Sequence, residues 1–400
     1  MPGTQDNRRS RSFAARLAPA LALATAALVF SPRPAAADTM DPALSRLVVE
    51  QGCRSIGTGG GLYYNPGYHP STPQLSPFCR PNDGDFAKLV AQYGFAIAPT
   101  PSHSARTTGF GGFGLAFEAN YTSIDSDADY WKRGSQGLQD PSSKRFSVSN
   151  PTPASVLQLY QMKITKGFPF GIELAGAFGW LSNTSMFTIG ADVRMSILEG
   201  FRTGIPAIFP EISVGGSVRT VAGTSEMQLT VAGFDAQISK PIPIGGTVIL
   251  TPYGGYQWIR IFGDSGLIDF TPNTDPVAAC GFTGTNTPAA KTPNGPYADG
   301  SPICSHGSGD DFNNTGVFKP VRLTRHRIDF GLQLRVQMMK LGVHFATDVV
   351  NPEDANQGED YQITTPVLND PKGTQSATVE NAFKGVAKQW TIGFDIGTVF

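Results

Sequence analysis

The chain is short of charge: Asp, Glu, Lys and Arg together make up 16% of its 400 residues, below the quarter that soluble domains carry. It also has no basic excess. With 31 Lys and Arg against 32 Asp and Glu the net charge is -1, so nothing is available to neutralise a phosphate backbone, and nucleic acid is excluded as a partner. After the first forty residues no long apolar run remains, so no helix can cross a bilayer; membrane residence is then open only to a strand-built barrel or a surface-bound form. Cysteine is scarce. Cys53, Cys79, Cys280 and Cys304 pair by order in an oxidising compartment, Cys53 with Cys79 and Cys280 with Cys304, and their spacing is too wide for a zinc site. The glycines of GTGGGLYYNPGYHP form no nucleotide loop, because no strand leads into them and no helix follows directly, so no cofactor or metal is expected.

What is present begins with an address. Arg8, Arg9, Arg11 and Arg16 precede an apolar run from Leu17 to Phe30, and Ala35, Ala36 and Ala37 offer a cleavage site before Asp38. Residues 1–37 read as a secretory signal peptide and are set aside from the fold. Residues 38–106 read as an N-terminal segment of helices and loops, held in the periplasm or folded into the barrel as a plug. Asp41 and Pro42 open a first expected helix carrying Leu44, Leu47 and Val48; a second starts at Asp85 with Phe86, Leu89, Val90 and Tyr93 on one face and Gly94 placed to end it.

From residue 107 to the end the apolar period is two. Phe113, Leu115, Phe117 and Tyr121 alternate with Gly114, Glu118 and Asn120, and the pattern recurs along the chain to Trp390, Ile392, Phe394, Ile396 and Phe400. Between Val231 and Phe234 the apolar phase shifts, which predicts a bulge near Gly233. About ten antiparallel strands are expected, with about eight or about twelve as alternatives. Connections alternate between brief (KGFP, KPIPIGG, MK) and long (Gly263 to Pro320, Val350 to Lys384), an asymmetry built into a barrel with only one rim facing outward.

These features together resemble a Gram-negative outer-membrane β-barrel protein of the porin-like class, over roughly Phe110 to Phe400. The resemblance implies an all-β transmembrane barrel, contact with outer-membrane lipid and lipopolysaccharide, and a final strand (Trp390, Ile392, Phe394, Ile396, Phe400) that the barrel-assembly machinery reads during insertion. In such a barrel the polar face points inward. The lumen-lining candidates are Glu118, Lys163, Glu173, Asp192, Arg194, Arg219, Asp235, Arg327, Asp329, Arg335, Asp348 and Asp395, joined by Glu211 and His344. The leading functional expectation is a narrow conduit whose lumen charges select a small solute. The alternative is a non-conducting barrel serving as a surface adhesion or interaction platform through long disulfide-stapled loops. No catalytic residue is assigned: His306, in SHGSGDD, is the histidine with acid neighbours in an outer loop, and the Asp125 to Asp129 run lacks the glycine and glutamate of an EF-hand.

Overall fold

The computed structural model describes residues 38–48, 55–56, 62–63, 81–100, 103–139, 149–199, 209–245, 247–269, 280–282, 302–304, 315–365 and 378–400. The expected signal peptide, Cys53, Cys79 and His306 lie outside the described residues.

Ten long strands form one antiparallel sheet: β1 (Phe113–Ser123), β2 (Val156–Gly167), β3 (Ile172–Leu181), β4 (Phe187–Leu198), β5 (Glu211–Ala222), β6 (Met227–Ser239), β7 (Val248–Ser265), β8 (Val321–Val336), β9 (Met339–Asp348) and β10 (Trp390–Val399). Each pairs with its neighbour in sequence, and β10 pairs with β1 from Thr391↔Thr122 to Val399↔Gly114, so the sheet closes. Phe400 joins the seam: its N–H donates to Phe113 O at 2.8 Å while Phe113 N–H donates to Phe400 O at 3.1 Å. Closure leaves no edge with unpaired backbone groups, the condition for a sheet in hydrocarbon.

The outer face is apolar on every strand. Phe117, Met162, Phe178, Ile189, Val218, Phe234, Trp258, Phe330, Val343 and Phe394 all point outward, with Phe234 56%, Phe330 54% and Phe394 51% exposed. An apolar band encircling the molecule far exceeds what a soluble monomer shows to water. Near the long-loop rim Tyr121 meets Tyr160 edge to face, Tyr160 packs at a tilt against Trp180, and Phe345 stacks on Trp390, as in an interfacial girdle. Phe113, Phe168, Phe170 and Phe400 are exposed at the other rim.

Loops sort by rim. At one rim β2–β3 is joined by residues 168–171 and β8–β9 by 337–338; at the other, β1–β2 spans 124–155, β7–β8 spans 266–320 and β9–β10 spans 349–389.

The inside differs from the expectation in three places. The bulge near Gly233 is absent: β6 pairs with β5 and β7 in unbroken register, and Leu229 and Val231 point inward. The register shifts instead in β4, between Ser196 and Leu198. The second expected helix starts at Asp83 and continues through Gly94 to Ile97; this is α1 (Asp83–Ile97). The first expected helix is a single 3-10 turn, Leu44–Arg46.

One physical fact explains the first two differences, because α1 lies inside the barrel. Its Phe86, Leu89, Val90, Tyr93, Phe95 and Ile97 share a core with inward-facing Leu157, Leu159, Leu181, Leu229, Val231, Ile259, Ile261 and Leu323. Inward apolar residues at the long-loop end therefore serve a core rather than signalling a phase change. At Gly94 the wall comes close, since a Cβ there would lie 2.5 Å from Ile261 Cγ2.

Candidate functional site: the lumen and its plug

Local chemistry places α1 before tertiary packing does. Asn82 caps it, the Asn82 side chain accepting from Asp85 N–H at 3.1 Å, and Asp83 and Asp85 put negative charge on the first turn. Pro99 stops it by forcing Ala98 into an extended conformation (φ -55, ψ 141). A helix of this length spans about 22 Å, so it covers much of the barrel's depth. Its buried Gln92 ties it to the β1–β2 connection: Nε2 donates to Tyr130 OH at 2.7 Å, and Oε1 accepts from Trp131 Nε1 at 2.6 Å and Asp125 N–H at 3.1 Å.

Below α1 the described residues 99–100 and 103–112 bond to the lumen's inner face and the short-turn rim. Asn120 Nδ2 donates to Thr100 Oγ1 at 3.3 Å, and Gln257 Nε2 donates to Pro99 O at 3.1 Å. Ser104 N–H donates to Gln333 Oε1 at 3.1 Å, Ala105 N–H to Ser239 Oγ at 3.1 Å, and Thr107 N–H to Glu199 Oε2 at 3.2 Å. Gly111 N–H reaches Gly167 O at 3.3 Å, at the short-turn rim where β1 begins.

Inward charges around this segment pair with one another. Asp192 accepts from Arg219 through Nη1 at 2.6 Å and Nη2 at 3.1 Å, and from Lys163 at 2.9 Å. Glu173 faces Arg194 at 3.5 Å, Asp395 faces Lys340 at 3.3 Å, and Glu211 faces Arg106 at 3.8 Å. Asp348 forms a fully buried ion pair with Arg325, whose Nη1 donates to Ala91 O at 3.0 Å and Gln389 Oε1 at 2.8 Å. Asp329 accepts from Gln237 at 3.0 Å; Arg327 donates to Gln257 and to Pro99 O; Glu118 accepts from Gln161. Asp235 and His344 are buried and face inward, while Arg335 sits at the short-turn mouth with Nε donating to Gln337 O at 3.0 Å. Such pairing offsets the cost of removing these charges from water.

The uncharged members of this network, Asn120, Gln161, Gln237, Gln257 and Gln389, and the charged Arg325 were not among the sequence candidates. All but Gln257 and Gln389 alternate in step with Glu118, Lys163, Asp235 and Arg327 on the same strands, the signal by which they could have been found. Trp390, Phe394, Ile396 and Phe400 are exposed on the outer face and Ile392 is half-buried there. Cys280 and Cys304 are directly opposed backbone partners in a short antiparallel pair within the β7–β8 loop; their side chains lie outside the described residues. The acidic run ends in α2 (Asp129–Gly134), where Asp129 pairs with Arg133 at 3.0 Å and Asp127 lies 4.0 Å from Lys132.

A closed barrel, an unbroken apolar outer band and a packed polar interior are now in place. The fold is that of an outer-membrane β-barrel. No family model matches the chain, and no curated protein resembles it in sequence. Among solved structures it is similar to the attachment invasion locus protein Ail of Yersinia pestis (9% identity, 73% of this chain and 99% of that one, TM-score 0.22). It is also similar to the outer membrane protein Omp33 of Acinetobacter baumannii (6%, 74% and 100%, 0.22) and the translocator domain of the autotransporter NalP of Neisseria meningitidis (10%, 78% and 96%, 0.30). At such scores these likenesses carry no functional argument, which rests on the barrel's own geometry.

The long-loop rim carries a second cluster. Asp41 accepts from Ser185 N–H at 2.7 Å and Asp38 N–H at 2.9 Å, and Glu226 accepts from Leu44 N–H at 2.7 Å. Burial pushes both carboxyls above their ordinary values, against the pull of these hydrogen bonds and, for Glu226, of nearby Arg46. Burial likewise lowers the Arg46 guanidinium to about 10.

Proposed function

We propose that the protein is a sealed outer-membrane barrel that works as a surface interaction platform, its long-loop rim facing outward. The observation that carries this reading is α1, a buried helix packed against the inward faces of the wall at the level of Ile259 and Ile261. A lumen filled by a core cannot at the same time hold a water-filled path. The platform consists of residues 38–48, α2 and the β7–β8 and β9–β10 loops, with Cys280 and Cys304 stapling the longest. Outer-membrane lipid and lipopolysaccharide cover the apolar band, and the barrel-assembly machinery reads the final strand.

A second reading, a narrow conduit for a small solute, is favoured by one feature. At the short-turn mouth a cavity of about 90 Å³ is bordered by Arg106, Lys163, Arg194, Arg335 and Lys340 and by Glu118 and Glu173. There the lumen charges would set selectivity.

Single-channel recording of the purified protein in planar bilayers separates the two. The platform reading predicts silence across small anions, cations and sugars. Regular open-channel steps that change size or ion preference in Asp192→Asn or Arg194→Ala would establish the conduit.

A further inference from the structure

The path of the N-terminal segment has a topological consequence. Residues 38–48 sit on the long-loop rim: Met40 N–H donates to Asn183 O at 2.9 Å in the β3–β4 turn, and Leu44 N–H to Glu226 between β5 and β6. Residues 81–82 are at the same rim, since Val48 bridges Pro81 and Asn82 N–H donates to Leu47 O at 2.8 Å. From there α1 enters the lumen, Thr100 and Ser104 bond to the wall's inner face, and the chain leaves at Gly111 and Gly112 beside Gly167. Strand β1 then starts at the short-turn rim and climbs back. The wall is hydrogen-bonded all the way round, including the β10–β1 seam, so no route other than the lumen connects the two rims.

We infer that this barrel delivers its own N-terminal segment across the outer membrane: residues 38–48 are synthesised ahead of β1 and carried outward through the space that β1 to β10 enclose. This rests on the long-loop rim being external, as in the platform reading. Nothing else need be supplied at the outer face. Once there, the segment is held by its own fit. Val90 lies against Gly263 and Gly94 against Ile261, so α1 has no clearance to slide back while the wall is closed. The bonds from Tyr93 to Met40 and from Arg325 to Ala91 tie the helix to the rim segment above and the wall beside it. The barrel thus acts as conduit and stopper in one chain, its cargo being the stretch that precedes the helix.

The test uses the full chain in its native membrane with one epitope inserted at a time: after Asp38, after Leu267 in the β7–β8 loop, and between Gln337 and Met338 at the short-turn rim. Antibody binding is compared on intact and permeabilised cells. The inference predicts that the epitopes after Asp38 and Leu267 are both labelled on intact cells and the third only after permeabilisation. Labelling after Leu267 on intact cells, with the Asp38 epitope hidden until permeabilisation, overturns the inference and leaves the platform reading standing. A hidden Asp38 epitope with the third one labelled on intact cells overturns both. Should the insertion after Asp38 block assembly, protease added to intact cells bearing the unaltered chain gives the same decision: cleavage before Asp83 supports delivery, and protection until permeabilisation overturns it.

Discussion

Asp348 and Arg325 form a buried ion pair whose carboxylate also accepts from Gln389 N–H at 2.9 Å. Removing one partner leaves the other charged and unpaired among apolar rings, including Phe95, over which the Arg325 guanidinium lies at 4.6 Å. Asp348→Ala is expected to destabilise the barrel by about 3–5 kcal/mol, read as a fall in the urea midpoint for loss of compact mobility on cold gels. Gly94→Val tests the other side of the fit. A side chain there meets Ile261, and overpacking of this kind costs about 1–3 kcal/mol, expected to appear as loosening of α1 and intermittent conductance in planar bilayers. At this scale the sequence is readable wherever the face of a strand sets a residue's surroundings: Phe394 and Ile396 are exposed on the outer face, and Asp192, Arg219 and Lys163 find one another inside. Gly94 misleads, because a glycine near a helix end signals a cap when only local conformation is weighed, and its actual role depends on a strand far away in the chain.

Among the elements, the ten strands declared themselves because a wall with polar contacts on one face and lipid on the other must alternate. Where α1 replaces the polar interior the alternation fails, as at Leu229 and Val231, which mimicked a bulge. The 3-10 turn at Leu44–Arg46 imitates a longer helix for a related reason: Leu44, Leu47 and Val48 are apolar at helical spacing, but they are buried under the rim rather than along a helix face. The rim segment also carries a pH dependence. Asp41 and Glu226 bind their protons more tightly docked than free, so docking is strongest below their ordinary values of 3.8 and 4.5 and weakens as pH rises from there through the raised ones. Arg46 titrates near 10, far above that window. Hydrogen-exchange protection of residues 39–48, corrected for intrinsic rates, should rise as the pH is lowered from 7 toward those ordinary values, and less so in Asp41→Asn. Protection that falls on acidification would contradict the assignment.

For the whole molecule, one decision organises the rest: the barrel encloses part of its own chain. That decision turns the long-loop half of the lumen into a hydrophobic core and sets the ion pairs of the short-turn half around residues 103–112. Sequence pattern alone left open whether residues 38–106 lie beside the barrel or within it, because an amphipathic helix with Phe86, Leu89 and Val90 on one face suits either place, and only the inward apolar residues of β6 and β7 distinguish them.

The most direct test of that claim is a cross-link between plug and wall. A Cβ at Gly263 would lie 3.3 Å from Val90 Cβ, near the separation a disulfide bridges. The paired changes Val90→Cys and Gly263→Cys, introduced in the membrane-inserted protein and mapped by mass spectrometry after mild oxidation, should give one new disulfide joining α1 to β7, with either single change giving none. Failure of the pair to link in barrels that keep their compact mobility on cold gels would place α1 outside the lumen and contradict the account.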